Sequence, residues 1–141
     1  MNWLKDAKWK KFCELLKVTL KTTKYNNNLT MELSKSDKKT ARILMDKGIL
    51  KEIEICNTKI LDILTDWKNN KKDARETYGQ VYGTVKDNDK YIASNYDGIS
   101  GAYYFDTVLN MYIKGLISEK DINPFSETVR ERLNSLKKNR F

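Results

Sequence analysis

Between residues 2 and 23, Trp9, Phe12, Cys13, Leu16 and Leu20 fall three or four positions apart. That spacing puts them on one side of an α-helix. Lys5, Lys8, Lys10, Lys11, Lys17 and Lys21 occupy the rest of its surface, and the run Asn26-Asn27-Asn28 ends it. Leu29-Thr30-Met31-Glu32-Leu33 alternates apolar with polar positions and predicts a short strand. Ser34 and Ser36 then stand as N-caps, with Asp37 in the first turn where the helix dipole favours an anion. The helix they open runs from Asp37 to Lys47, with Thr40, Ala41, Leu44 and Met45 on one face. Gly48 occupies the place of a left-handed C-cap.

Residues 49–64 fit two patterns. At helical period, Leu50, Ile53, Ile60, Leu64 and Trp67 make one stripe, with Cys56 or Asn57 filling the gap. At period two, Ile53 and Ile55 lead into a turn at Asn57-Thr58, and Leu61 and Ile63 return. β-branched isoleucines favour strands, and the hairpin is the preferred reading. Residues 66–85 predict a helix in which Ala74, Tyr78, Val81, Tyr82 and Val85 share a face, with Gly79 and Gly83 beside it. Asp87-Asn88-Asp89 opens a polar loop and Asp97-Gly98 marks a turn. Residues 101–114 give a further helix with Phe105, Val108, Leu109, Tyr112, Ile113 and Leu116 inward and Gly115 as its stop. Ser118-Glu119-Lys120-Asp121 reads as a capped turn, and Asn123-Pro124 starts the last helix, which buries Phe125, Val129, Leu133 and Leu136. The fold class is mainly α. It is a single domain, 1–141, of about five helices with a short strand and a β-hairpin. Its N-terminal half, 1–64, is basic and its C-terminal half, 65–141, is helical.

Charge changes the picture next. The chain of 141 residues carries a net +8, and the excess sits early. Residues 1–50 hold 12 basic and 5 acidic groups, residues 51–100 hold 8 and 9, and residues 101–141 hold 7 and 5. A lysine concentration of this kind suits a polyanion, because it displaces counterions condensed on phosphates. There are no histidines, which excludes Ser-His-Asp and Cys-His nucleophile systems and the commonest zinc ligand. Cys13 and Cys56 have no Cys-x-x-Cys spacing and read as reduced thiols of a cytoplasmic protein. Neither a signal peptide nor a membrane span of about 18 apolar residues is visible.

Leu33 to Leu50 contains the most informative motif. A short strand, a capped basic helix ending at Gly48-Ile49-Leu50, and then a hairpin resemble in pattern a winged helix-turn-helix. The resemblance implies that Lys35, Lys38, Lys39 and Arg42 meet phosphates and the edge of the major groove, and that Lys51 and Lys59 lie on the wing. One of the usual three helices is missing between residues 29 and 36, and the glycine comes one residue early.

Tyr91, Tyr96, Tyr103 and Tyr104 cluster around a polar loop and read as a contact surface for a partner. Asp87-x-Asp89 begins like a calcium loop but has Ile92 where the glycine belongs. Asp62, Asp66 and Lys68 hold the ingredients of a metal-dependent nuclease without its arrangement. No cofactor, metal or catalytic group is expected. The first functional expectation is a non-enzymatic nucleic-acid-binding protein, with DNA preferred over RNA. The alternative is a small inhibitor or adaptor of a protein or nucleoprotein, the type of product that phages and mobile elements use as anti-CRISPR proteins.

Overall fold

A computed structural model of the chain describes residues 31–140. The helix expected over residues 2–23 and the first two positions of the expected strand lie outside the described residues. All described positions but the first belong to one compact unit, Glu32–Phe141. Among them are four α-helices and no strand: α1, Lys35–Lys68; α2, Ala74–Tyr96; α3, Tyr104–Ile113; and α4, Glu127–Lys138. A 3₁₀ turn, Gly101–Tyr103, leads into α3. None of these helices is long and apolar enough to cross a membrane.

The main correction concerns α1. It is a single helix of 34 residues, about 51 Å at 1.5 Å per residue, running through the segment read as a wing. The isoleucines at 53, 55, 60 and 63 all lie inside it, so β propensity yields here to tertiary context. The winged pattern is therefore absent, and residues 31–33 form no strand. Ser34 caps the helix as expected, its Oγ accepting from the Asp37 N–H at 3.1 Å.

Gly48 is not a cap but a notch in the middle of α1. A Cβ built there would overlap Met111 Sδ, so the missing side chain is what lets α1 lie against α3. The helix instead ends at Asn69. Asn70 takes a left-handed φ of 57°. The Asn70 N–H donates to the Trp67 carbonyl and the Lys71 N–H to the Asp66 carbonyl, the two bonds of a Schellman cap. Gly115 does the same for α3, with φ 76° and bonds from Gly115 N–H to Tyr112 and from Leu116 N–H to Met111.

From this turn α2 returns along α1. It starts at Ala74, eight residues later than the expected 66, because Asp73 is its N-cap and accepts from the Glu76 N–H at 2.8 Å. It also continues through Asp87-Asn88-Asp89, where a loop was expected, and ends before Asp97-Gly98. The last helix likewise begins at Glu127, later than Pro124.

The core lies at one end of this hairpin. α3 is buried nearly all round through Phe105, Val108, Leu109, Met111, Tyr112 and Ile113, as a central helix must be. Ala41, Leu44 and Met45 of α1 close one side of the core, and Phe125, Val129, Leu133 and Leu136 close another. Ile117 and Ile122 fill the connection, which Ser118 and Asp121 cap reciprocally as expected.

Gly48→Ala tests the notch. The helix gains about 1 kcal/mol of propensity, but the wholly buried Met111 side chain, whose Sδ and Cε the new Cβ would overlap, must shift to admit it. Overpacking of this kind costs about 1–3 kcal/mol. A net loss of about 1 kcal/mol in urea unfolding is expected, and a gain in stability would show that α3 yields freely at this point.

Candidate functional site

The residues singled out in the sequence fall into two groups of different character. Lys35, Lys38, Lys39 and Arg42 do share one side of the first two turns of α1. Lys35, Lys39 and Arg42 are exposed, and the Lys38 stem runs beside Gly101. Arg42 is held in place, its Nε donating to Tyr104 Oη at 3.2 Å while the guanidinium lies 5.5 Å from that ring's centre. Lys51 and Lys59 do not join them. At about 100° per residue they lie about 160° and 240° around the helix from Lys35. Lys51 pairs with Glu54 at 2.7 Å, and Lys59 is half-buried near Cys56.

Charge over the described residues is also milder than over the whole chain. Residues 31–140 hold 20 basic and 17 acidic groups, whereas residues 1–30 hold seven and two. Most of the lysine excess thus belongs to the segment before α1.

The tyrosines behave differently from the expected surface. Tyr96 is buried and Tyr91 half-buried, because both turn inward onto Glu52. Tyr96 Oη donates to Glu52 Oε1 at 2.9 Å and Tyr91 Oη donates to the same oxygen at 3.2 Å. Lys114 Nζ donates to Tyr91 Oη at 2.6 Å. The two rings meet edge to face, 6.3 Å apart. Burial, and then the neighbouring Tyr91 and Glu52, push the Tyr96 hydroxyl far above its ordinary range, so it stays a donor. Among the described residues no buried side-chain polar atom lacks a partner, and this cluster reads as a clamp between α1, α2 and the end of α3. Tyr104 is half-buried beside Arg42, which leaves Tyr103 as the exposed member of the four.

A second buried carboxylate ties the helix N-termini together. Asp37, 5% exposed, accepts from Ser126 N–H at 2.8 Å, from Ser126 Oγ at 2.9 Å and from Ser34 Oγ at 2.8 Å. Burial pushes its carboxyl up, but the hydrogen bonds from the Ser126 backbone, Ser34 and the Ser126 hydroxyl together outweigh that and hold it below the ordinary value. Asp121 is held at about 2, chiefly by the hydrogen bond from Lys47 at 2.6 Å and then by the Ser118 backbone. Cys56 is buried with its thiol toward the Thr84 carbonyl, and burial raises its pKa, which makes it a poor nucleophile at neutral pH. A shallow cleft of about 260 Å³ lies by Ile122, Asn123, Arg130 and Asn134. Among the described residues no three His, Cys, Asp or Glu side chains gather to hold a metal.

Sequence reasoning missed the outer faces of the hairpin. Of the helical-period stripe, Leu50, Ile53, Leu64 and Trp67 are exposed and Ile60 is half-buried, and Ile43 and Leu61 are exposed as well. On α2, Tyr78, Tyr82 and Val85 are exposed as well, Tyr78 by 78% and Tyr82 by 62%. The surfaces that face each other are small or polar instead. Thr77 is buried, Thr84 lies by Cys56, and Lys72 Nζ donates to Gln80 Oε1 at 2.8 Å. The signal was present in Thr77, Gln80, Thr84 and Asn88, which recur at helical spacing between the larger residues. Comparison with protein-family models, curated proteins and solved structures finds no match.

The two aspartates give the fold an acid limit. Both titrate lower in the folded chain than the 3.8 of an ordinary Asp. The folded state therefore binds fewer protons, and the stabilisation is complete above that value and fades as the pH falls toward about 2. Asp37→Asn is expected to cost about 1–3 kcal/mol at pH 7 and to flatten the loss of urea midpoint between pH 5 and pH 2.5 (roughly the span of the transition). An unchanged pH profile would remove Asp37 from that role.

Proposed function

We infer that this is a non-enzymatic binding protein of the adaptor or inhibitor class, which engages a protein partner through the outer face of α2. One observation carries the reading: Tyr78 and Tyr82 are largely exposed to solvent on successive turns, with the exposed Val85 one turn on. Leaving such rings in water forgoes a large burial energy, and tyrosine is the kind of residue that concentrates binding energy at interfaces. Gly79 and Gly83 lie beside them, and a Cβ at either would meet nothing within 4 Å. The glycines leave a low floor beside the rings onto which another backbone can settle. Lys86, whose Nζ lies 6.0 Å from the Tyr82 ring centre, adds a cation at the rim. The buried face of the helix is elsewhere, so truncating these rings leaves the fold intact.

The test begins with a pull-down that survives nuclease treatment. Tyr78→Ala with Tyr82→Ala is then expected to weaken the captured complex by about 2–4 kcal/mol, with the melting temperature unchanged. Equal affinity in the double variant removes α2 as the contact face.

The row Lys35, Lys38, Lys39 and Arg42 favours a second reading, contact with nucleic acid. These cations sit on one side of a helix N-terminus, whose dipole adds to their attraction for phosphate. Duplex DNA is the preferred ligand, and its phosphates would be neutralised with little base readout. Lys51 and Lys59 have no part in it. The expected result is binding to short duplexes whose log affinity falls with log salt by about 0.9 per neutralised phosphate. Changing Lys38, Lys39 and Arg42 together to Glu should abolish it without unfolding. Affinity that ignores these changes assigns the phosphate contacts to other residues.

A further inference from the structure

The outer face of α1 carries a pattern that the adaptor reading leaves unused. Leu50, Ile53, Asn57, Ile60, Leu64 and Trp67 alternate in steps of three and four. With Ile43 one heptad earlier, these are the a and d positions of a seven-residue repeat: a is Ile43, Leu50, Asn57 and Leu64, and d is Ile53, Ile60 and Trp67. Only Asp46, at the first d, is charged. Ile43, Leu50, Ile53, Leu64 and Trp67 are exposed, Leu50 by 61%, and Leu61 beside the seam by 63%. Ala41, Leu44, Gly48, Glu52 and Cys56 are buried against the core and α2, and Ile60 is half-buried at the edge of that contact, while the other apolar residues of the stripe stay open to solvent.

We propose that a second copy of this chain covers this face, the two α1 helices pairing in parallel as a two-stranded coiled coil over residues 43–67. The identity of the occupant follows from the repeat. A strict heptad over about 37 Å needs a partner helix with the same period, because only equal periods keep knobs opposite holes along the whole length. The stripe offers an unrelated surface almost no charge with which to recognise it. Asn57 decides direction and register. A polar residue in a seam costs stability unless its amide finds a partner, and in a parallel, in-register pair each Asn57 meets the other. Shifted or reversed, it would face Ile60 or Leu and stay unpaired. Leu at a with Ile at d would otherwise favour three or four helices. Asn57 opposes this, and so does α2, which already packs against Cys56 on the flank of the seam.

The experiment is sedimentation equilibrium on the full chain from low to high micromolar concentration. The expected mass at high concentration is twice the chain's 16.6 kDa. Leu50→Glu with Leu64→Glu should shift the dimer dissociation constant by at least 100-fold while leaving the helical circular dichroism unchanged, since both side chains are exposed in the single chain. Asn57→Cys supplies the direction. In a Cys13→Ser background, mild oxidation should link two copies through position 57 and give a reducible band of doubled mass that the Cys13→Ser chain alone, with Cys56 buried, does not form. A monomer at every concentration overturns the proposal, as does a dimer indifferent to the two glutamates. A dimer that Asn57→Cys cannot cross-link overturns the parallel register. None of these variants touches Tyr78 or Tyr82, so the fate of the α2 surface is read separately.

Discussion

Glu52 sets the relation between the helices. A carboxylate between two packed helices must be supplied with donors, because burying it unpaired costs several kcal/mol. Tyr96 and Tyr91 supply them from one side, and Lys114 then anchors Tyr91 from the end of α3. Three helices are thereby fixed to a single oxygen. The position of that oxygen also fixes which side of α1 faces inward, and therefore which side faces water.

That choice divides α1 into two unlike halves. Up to Gly48 its inner side meets a full apolar core, and α3 approaches closely enough that no Cβ fits. Beyond Glu52 it meets α2, whose facing residues are Thr84 and other polar or small groups, with Cys56 the last buried apolar side chain of the helix. The hairpin arm is held by its capped turn at Asn70, by side-chain hydrogen bonds and by modest packing. Its large apolar residues are outside. A helix with this distribution contributes surface rather than core, and surfaces of that kind mark interaction sites.

The legible parts of the fold were those where one local signal matched one physical need. Phe105 to Leu116 read correctly because α3 is central and its apolar positions are core positions. Gly115 read correctly because a left-handed C-cap favours glycine. Ser118 and Asp121 read correctly because a capping box is local. Gly48 misled for the opposite reason. The same residue type serves a left-handed cap and a close helix approach, and only Met111, 63 positions on, tells which. The isoleucines of α1 favoured a hairpin, yet the helix-period stripe they also formed was real. Its direction was what no local pattern revealed, because Glu52, at the margin of that stripe, turned out to be the buried residue. The tyrosine cluster failed likewise: Tyr91 and Tyr96 look like an exposed patch until Glu52 is known to need their hydroxyls. Of the basic candidates, the four within two turns of one helix stayed together, while Lys51 and Lys59 depended on a wing that does not form.

The buried polar groups and the exposed apolar ones point the same way. Asp37 is held by three donors, Glu52 by two hydroxyls and Asp121 by Lys47 and a cap. Cys56 is a protonated thiol under α2. The three carboxylates are thus engaged in holding elements of the fold together. Recognition draws on large side chains left in water at defined spacing, and α1 and α2 present two such rows, one aliphatic with a single Asn and one of tyrosines over glycines. The two rows differ in chemistry as the two proposed occupants do: an aliphatic seam suits its own likeness, and a tyrosine face, polar at the ring tips, suits a partner that also lives in water.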